Sequence, residues 1–241
     1  MRKLVAIFGL LALILFCMTV CLCRQIAIAI KIIEAACDAI NDIPSSVYFP
    51  LLQYFLMLIF IVYWVLVAAY MMSTGDYKQV SGAYTMEWNE TMQQAFVYHF
   101  FGLLWVMAFI RHMSILILAG AFGTWYWTSI PDKDDGQFDV KHPTPITSSI
   151  WRSFCYHTGT VAFGSFIIAV IEFIQYCLEY LKQKQDSEWM QYLISCIQCI
   201  VECFERIMEY ISRMAYIVTA CKGNMFCTAA MESFLAAVDE R

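Results

Sequence analysis

The sequence predicts an all-α fold, a polytopic transmembrane helix bundle with an amphipathic helix in its C-terminal part. Of the 241 residues, 61% are hydrophobic and 15% are charged, and the mean hydropathy is +0.62. A water-soluble domain carries about half apolar and about a quarter charged residues. Apolar runs long enough to cross a hydrocarbon core, which takes about 20 helical residues, recur along the chain. From Ser195 onward, polar and apolar positions separate onto opposite faces with a helical period.

The first apolar run covers residues 4–23. Its charged head and apolar middle also fit a signal peptide, but no small-x-small cleavage site follows, and the amphipathic stretch RQIAIAIKIIEAACDAIND continues directly from it. The run is therefore read as a span. Further spans are expected at about 50–70, 96–127 and 159–181, separated by polar loops. The loop 71–94 holds one basic residue, Lys78, and the N-glycosylation sequon Asn89-Glu90-Thr91. The loop 128–153 holds Lys133, Lys141 and Arg152, and the segment 24–49 holds Arg24 and Lys31. Basic residues favour the cytoplasmic side, so 71–94 is expected outside and the other two inside.

The last element is a helix over about 187–221. Ser195, Gln198, Glu202, Glu205, Glu209 and Ser212 recur at three- and four-residue steps, and Ile194, Ile197, Val201, Phe204, Met208 and Ile211 fill the opposite face. Such a helix either lies at the membrane interface or turns its polar face to a cavity. Only 215–221 is apolar enough to enter the bilayer.

Several function classes find no support. The net charge of −5 is spread between the apolar runs, with no basic stripe for nucleic acid. Many of the eleven cysteines lie in or beside apolar runs and the loop 71–94 has none, which reads as free thiols rather than a disulfide scaffold. No nucleophile–base set, phosphate loop or metal quartet appears, so neither an enzyme nor a cofactor is expected. Cys196, Cys199 and Cys203 share a helical face. A single C-x-x-C without a second pair or a histidine points to packing or S-acylation rather than zinc. Oligomeric state has no signature in the sequence.

Three segments carry a resemblance: YHFFGLLWVMAFIRHMSILILAGAFGTWYW, then CYHTGTVAFGSFIIAVIEFIQYCLEYL, then SRMAYIVTACKGNMFCTAAMESF. In this order and spacing they resemble the choline transporter-like family, also called the plasma-membrane choline transporter family. Its pattern has Phe-Gly-x-Leu-Trp, Ala-Gly-Ala-Phe, Tyr-His-x-Gly and Leu-Glu-Tyr motifs, followed by a cysteine-rich helix. The resemblance implies a multi-pass protein of the plasma membrane that moves choline or a related cationic amine such as ethanolamine. Because members are longer, with about ten spans, residues 1–241 read as an internal portion of an incomplete or truncated member. This chain departs from the family pattern at Ala108, Cys155, Glu172, Gln175, Ser212 and Met214, several of them polar positions in the family. A non-transporting membrane scaffold or degenerate paralogue is the alternative.

Candidate site residues follow from the chemistry of a quaternary ammonium, which aromatic faces recognise. Trp105, deep in the third span, with Tyr98 and Phe101 one to two turns before it, is the candidate substrate contact; core packing is the competing role. The cluster Trp125-Tyr126-Trp127 at the end of that span reads as an aromatic belt at the headgroups. Ala119, Gly120 and Gly123 read as a surface for close helix approach. Arg111 within the third span needs an opposite charge, and Glu172, near the centre of the fourth, is the natural partner. His157 in the Tyr-His-x-Gly motif suits a proton relay or a helix-end hydrogen bond.

If Asn89 is glycosylated, as sequon and charge bias together predict, glycosidase treatment of protein from eukaryotic membranes increases its gel mobility, and Asn89→Gln abolishes the shift. Extracellular labelling of Lys133 would instead invert the orientation.

Overall fold

The structure is a computed structural model that describes residues 2–80, 83–87, 89–131, 138–140 and 144–239. It is an all-α polytopic bundle. Seven helices occur in the described residues: α1 (Arg2–Asp42), α2 (Ser45–Ser73), α3 (Glu90–Thr128), α4 (Pro145–Tyr156), α5 (Thr158–Gln183), α6 (Glu188–Lys222) and α7 (Phe226–Asp239). Two short antiparallel hairpins flank α3. Strands β1 (Asp76–Val80) and β2 (Ala83–Glu87) pair with Asp76 opposite Glu87, and β3 (Ser129–Pro131) and β4 (Phe138–Val140) pair with Ser129 opposite Val140.

The chain divides into two compact units, Met1–Pro44 and Ser45–Arg241. In the first, the 41 residues of α1 run without a break, so the apolar run 4–23 and the amphipathic stretch after it are one helix of about 62 Å. In the second, α2, α3 and α5 are long and apolar enough to cross a membrane. Each extends a few residues beyond the apolar run that marks it in the sequence.

The bundle of the second unit is ordered by aromatic and polar contacts between neighbouring helices. Helices α2 and α3 are clamped by Trp64 and His99, whose rings stack 5.0 Å apart. Trp64 Nε1 donates to the His99 carbonyl at 3.0 Å, and His99 Nε2 meets the Trp64 carbonyl at 3.2 Å, a contact that needs the proton on Nε2. Helix α5 runs antiparallel to α3, because Phe100 meets Tyr176 late in α5 and Trp105 meets Phe166 earlier in it. Helix α6 runs antiparallel to α5, with Gln198 at Glu179 and Gln175 at Glu205.

These helices approach closely because the facing stripes are small. Ala108 and Gly120 of α3, Val161, Gly164 and Ser165 of α5, and Ser212 and Ala215 of α6 are all buried. In lipid no hydrophobic effect drives helices together, so backbone proximity and packing carry association. A Cβ at Gly164 would collide with the Tyr216 hydroxyl and come 2.6 Å from the Phe226 ring; one at Gly120 would collide with the Ser149 hydroxyl. Gly120 is thus a packing residue, as its neighbourhood of small side chains indicates.

Two expectations are corrected. The segment 128–153 is not loop throughout: α4 packs Ile146, Ser149 and Ser153 inward, Ser149 Oγ donates to the Ile117 carbonyl at 2.7 Å, and Arg152 donates to the Gly120 carbonyl at 3.2 Å. Arg152 is therefore tied to α3 rather than free in a loop, and Lys133 and Lys141 lie outside the described residues. Trp125 is only 9% exposed, so it packs inside while Tyr126 and Trp127 stay exposed. Trp125 is therefore not part of an exposed aromatic cluster. Beyond α6, which the sequence placed at about 187–221, Phe226–Asp239 form α7, after a left-handed turn at Gly223 (φ 76°) whose amide donates to the Thr219 carbonyl at 2.8 Å.

Gly164→Ala is expected to lower stability by about 1–3 kcal/mol through overpacking, seen as an earlier thermal transition in detergent. Gly102→Ala, whose new methyl meets nothing within 4 Å, should instead gain up to about 1 kcal/mol from helix propensity. Equal shifts for the two would show that the α5–α6–α7 junction is not tightly packed.

Candidate functional site

The polar stripe of α6 faces inward. Of its apolar side chains, Ile197, Ile200, Phe204 and Ile207 are exposed and Ile194, Val201, Met208 and Ile211 are half-buried, whereas Gln198, Glu205 and Glu209 turn towards α5 and α3. Gln198, Glu202 and Glu205 of this face line a recess against α5.

Three helices share one charge network at mid-bundle. Arg111 of α3 donates through Nη2 to Glu172 Oε1 of α5 at 3.2 Å, and its Nη1 lies 3.9 Å from Glu209 Oε1 of α6. Glu209 also accepts from Arg213, one turn on, at 2.7 Å. The structure therefore brings Arg111 and Glu172 together and adds Glu209 as a second carboxylate. An isolated charge at the centre of a bilayer costs about 2.5–3.5 kcal/mol on insertion scales; here each of the three has an opposite charge beside it.

Glu172 belongs at the same time to the wall of a cleft of about 400 Å³ between α5 and α6. The α5 wall presents Glu172, Gln175, Tyr176 and Glu179, and the α6 wall presents Gln198, Glu202 and Glu205. Gln175 donates to Glu205, and Gln198 donates to Glu179 at 2.8 Å. Lys182 donates to Gln198 Oε1 at 3.4 Å. Four carboxylates in one recess make a strongly negative potential, which raises the local concentration of cations. The cleft lies level with Phe100, through its contact with Tyr176, and so towards the N-terminal end of α3, where Asn89 stands exposed with its carbonyl accepting from the Met92 amide at 2.9 Å. Sequence reasoning singled out the α6 residues only as a stripe. The missed signal was a second stripe on α5, Glu172, Gln175 and Glu179, at matching three- and four-residue steps.

The aromatic candidates lie along α3 beside this region. Trp105 donates its indole N–H to the Ala162 carbonyl at 3.1 Å and meets Phe166 in a T-shaped contact at 5.5 Å, leaving the residue 37% exposed. Phe101 meets Phe166 and Phe173 edge to face, both at 5.7 Å. Tyr98 is 79% exposed and stands apart from that cluster. His157 is the joint between α4 and α5: its amide donates to the Ser153 carbonyl, and its carbonyl accepts from Val161, both at 3.0 Å. Desolvation first, and the nearby Arg152 cation second, hold the His157 pKa below its ordinary value, which favours the neutral imidazole. Cys196, Cys199 and Cys203 are exposed free thiols on α6.

The sequence profile described as plasma-membrane choline transporter matches residues 6–239. Choline transporter-like protein 2 of Dictyostelium discoideum is 35% identical over 236 residues, covering 95% of this chain and 35% of that protein. Choline transporter-like protein 2 of Xenopus laevis is 30% identical, covering 95% and 37%. Choline transporter-like protein 1 of Xenopus laevis is 32% identical, covering 94% and 34%. The chain spans about a third of the length of these relatives.

The charge network is open to a double-mutant cycle on thermal unfolding in detergent. Arg111→Met leaves Glu172 without a cation and Glu209 with Arg213 alone, and should cost about 2–3 kcal/mol, with Glu172→Gln on the same background recovering about half of it. If the double variant loses the sum of the two single losses, the pair is uncoupled.

Proposed function

Because the chain belongs to the plasma-membrane choline transporter family, we propose that it forms part of a transmembrane route for choline or a related cationic amine such as ethanolamine. The observation that supports this reading is the acidic cleft between α5 and α6, whose inner residue, Glu172, is also the partner of the mid-bundle cation Arg111. A quaternary ammonium offers no N–H to a hydrogen-bond acceptor, so its recognition rests on charge and on aromatic faces. The cleft supplies both. Glu179, Glu202 and Glu205 give the negative field, and Tyr176 gives a ring in the same wall.

Trp105, Phe101 and Tyr98 are the proposed aromatic faces along α3, with Trp105 the principal one. Its engagement with Ala162 and Phe166 is the observation that favours the second reading, a non-transporting membrane scaffold in which these rings only pack. Arg111 and Glu172 act in the transport reading as a neutral pair that a passing cation competes for. A cation drawn to Glu172 loosens its hold on Arg111, while Glu209 keeps the arginine compensated. His157, neutral and at the far end of α5, is the proposed polar contact at the opposite mouth.

Uptake of labelled choline into vesicles carrying the protein, normalised to folded protein, tests this. Removing two carboxylates by Glu202→Gln with Glu205→Gln should raise the half-saturating choline concentration at least about fivefold, since each exposed charge contributes on the order of 1 kcal/mol at contact distance. Trp105→Ala should weaken apparent affinity about five- to thirtyfold and Trp105→Phe much less. Unchanged saturation in the glutamine pair would remove the cleft from the route. Absence of saturable uptake by the unaltered protein would leave the scaffold reading.

A further inference from the structure

The polar stripe of α6 does not end at the acidic cleft. It continues in the same register past Glu209 to Ser212, Tyr216 and Thr219, where its surroundings reverse. These three residues are completely buried, and His112, facing them from α3 with its ring 5.0 Å from that of Tyr216, is 1% exposed. The three hydroxyls and His112 Nδ1 have no hydrogen-bond partner among the described residues. An unpaired buried polar group costs about 1–3 kcal/mol, and a seam that served packing alone would be better filled by alanine, valine and phenylalanine. Four such groups on one seam mark a place built for a polar occupant.

On the other side of this seam lies a second cleft, of about 600 Å³, at the end of the bundle away from the acidic one. His157, Phe163, Asn224 and Phe226 are among its walls. Its boundary with the seam is aromatic: Phe226, 6% exposed, stands 5.6 Å from the Tyr216 ring and 5.9 Å from the Phe163 ring. Phe226 opens α7, which is held to the end of α6 by Glu232, accepting from Lys222 at 2.7 Å and from Asn224 at 2.9 Å. The ring is thus mounted on a short helix that follows the left-handed turn at Gly223.

We propose that Ser212, Tyr216 and Thr219 of α6, with His112 of α3, form an occluded hydroxyl-lined station for water and an ammonium headgroup, sealed from the second cleft by Phe226 and Phe163. This rests on the transport reading, which it deepens by placing a binding station between the two clefts. Hydroxyl oxygens suit that occupant: they solvate a cation and its accompanying water without the strong, trapping attraction of a carboxylate. The acidic cleft gathers the cation, the station holds it out of hydrocarbon, and displacement of Phe226 releases it.

The test is solvent access to Thr219→Cys in detergent or open vesicles, without substrate, using trimethylammonium-ethyl methanethiosulfonate. Its headgroup matches the proposed occupant; the cysteine thiolate attacks the reagent's sulfenyl sulfur, forming a disulfide and releasing methanesulfinate. Modification is read by mass spectrometry of the peptide carrying position 219, so the native cysteines do not interfere. Slow modification is expected with the seal intact, at least tenfold faster modification with Phe226→Ala, a similar gain with Phe163→Ala from the opposite wall, and no gain with Phe226→Leu. An unchanged rate in both alanine variants, each confirmed monodisperse with an unaltered thermal transition for α3–α5 packing, would show a dry packing seam and overturn the proposal. Loss of that packing in one alanine variant leaves the other to decide, and loss in both would show that the rings hold the bundle together rather than seal a station. Since no uptake is measured, the two readings separate. Reagent access at position 219 in a protein that takes up no choline sinks transport alone, and saturable uptake with position 219 closed in both variants sinks the station alone.

Discussion

A charge on a helix packed in an apolar bundle needs an opposite charge or a polar neighbour, and the packing of α6 against α5 and α3 follows from that constraint. Glu205 and Glu209 point at α5 and α3, while Ile197, Ile200, Phe204 and Ile207 point outward, an arrangement opposite to that of an amphipathic helix on a water-soluble protein. Arg111 is the pivot. By reaching both Glu172 and Glu209, it requires α3, α5 and α6 to meet at one level, which is consistent with the antiparallel order of α5 against both neighbours. The acidic cleft lies between the two polar stripes on the Asn89 side of that level, bridged by Gln175–Glu205 and Gln198–Glu179.

Close approach is the second requirement, and it acts below the charge network. Gly120 admits α4 and Gly164 admits Tyr216 and Phe226, because any Cβ at either position would overlap the neighbour. Arg152 and Ser149 then hydrogen-bond α3 backbone carbonyls, which strengthens a contact that dispersion alone would hold weakly in lipid. Two of the positions at which this chain departs from the family pattern have partners of their own: Glu172 is paired with Arg111, and Gln175 donates to Glu205. Those departures are accommodated inside the chain. For Ala108, completely buried between helices, the accommodation is simple packing.

Charge and packing together leave a polar line along α6 that changes character with depth. It is acidic and open near the Asn89 end, compensated by arginine at mid-bundle, and hydroxylic and closed beyond. A cation passing along such a line would meet attraction first and release later, with strong binding confined to where water still has access. The exposed aromatic and aliphatic side chains of α2, among them Tyr54, Phe55, Leu58 and Tyr63, fit lipid or further protein equally well.

By itself the sequence determined the class of fold, the positions of the long apolar helices, the amphipathic helix after residue 187 and the family. Each of these depends on local quantities: run length, period and ordered motifs. It also pointed Arg111 towards Glu172, because a mid-span charge needs a counter-charge and few were available. Tertiary structure decided what depends on which faces meet. It recruited Glu209 to the same arginine, turned Trp125 inward while leaving Tyr126 and Trp127 outside, spent the Trp105 N–H on a carbonyl of α5, and folded 145–156 into a helix docked on α3. Helical period names the residues that share a face but not the neighbour that face will touch. In a bundle without a hydrophobic drive between helices, that choice rests on the mutual fit of small residues and the pairing of charges, and both are properties of helix pairs rather than of any one segment.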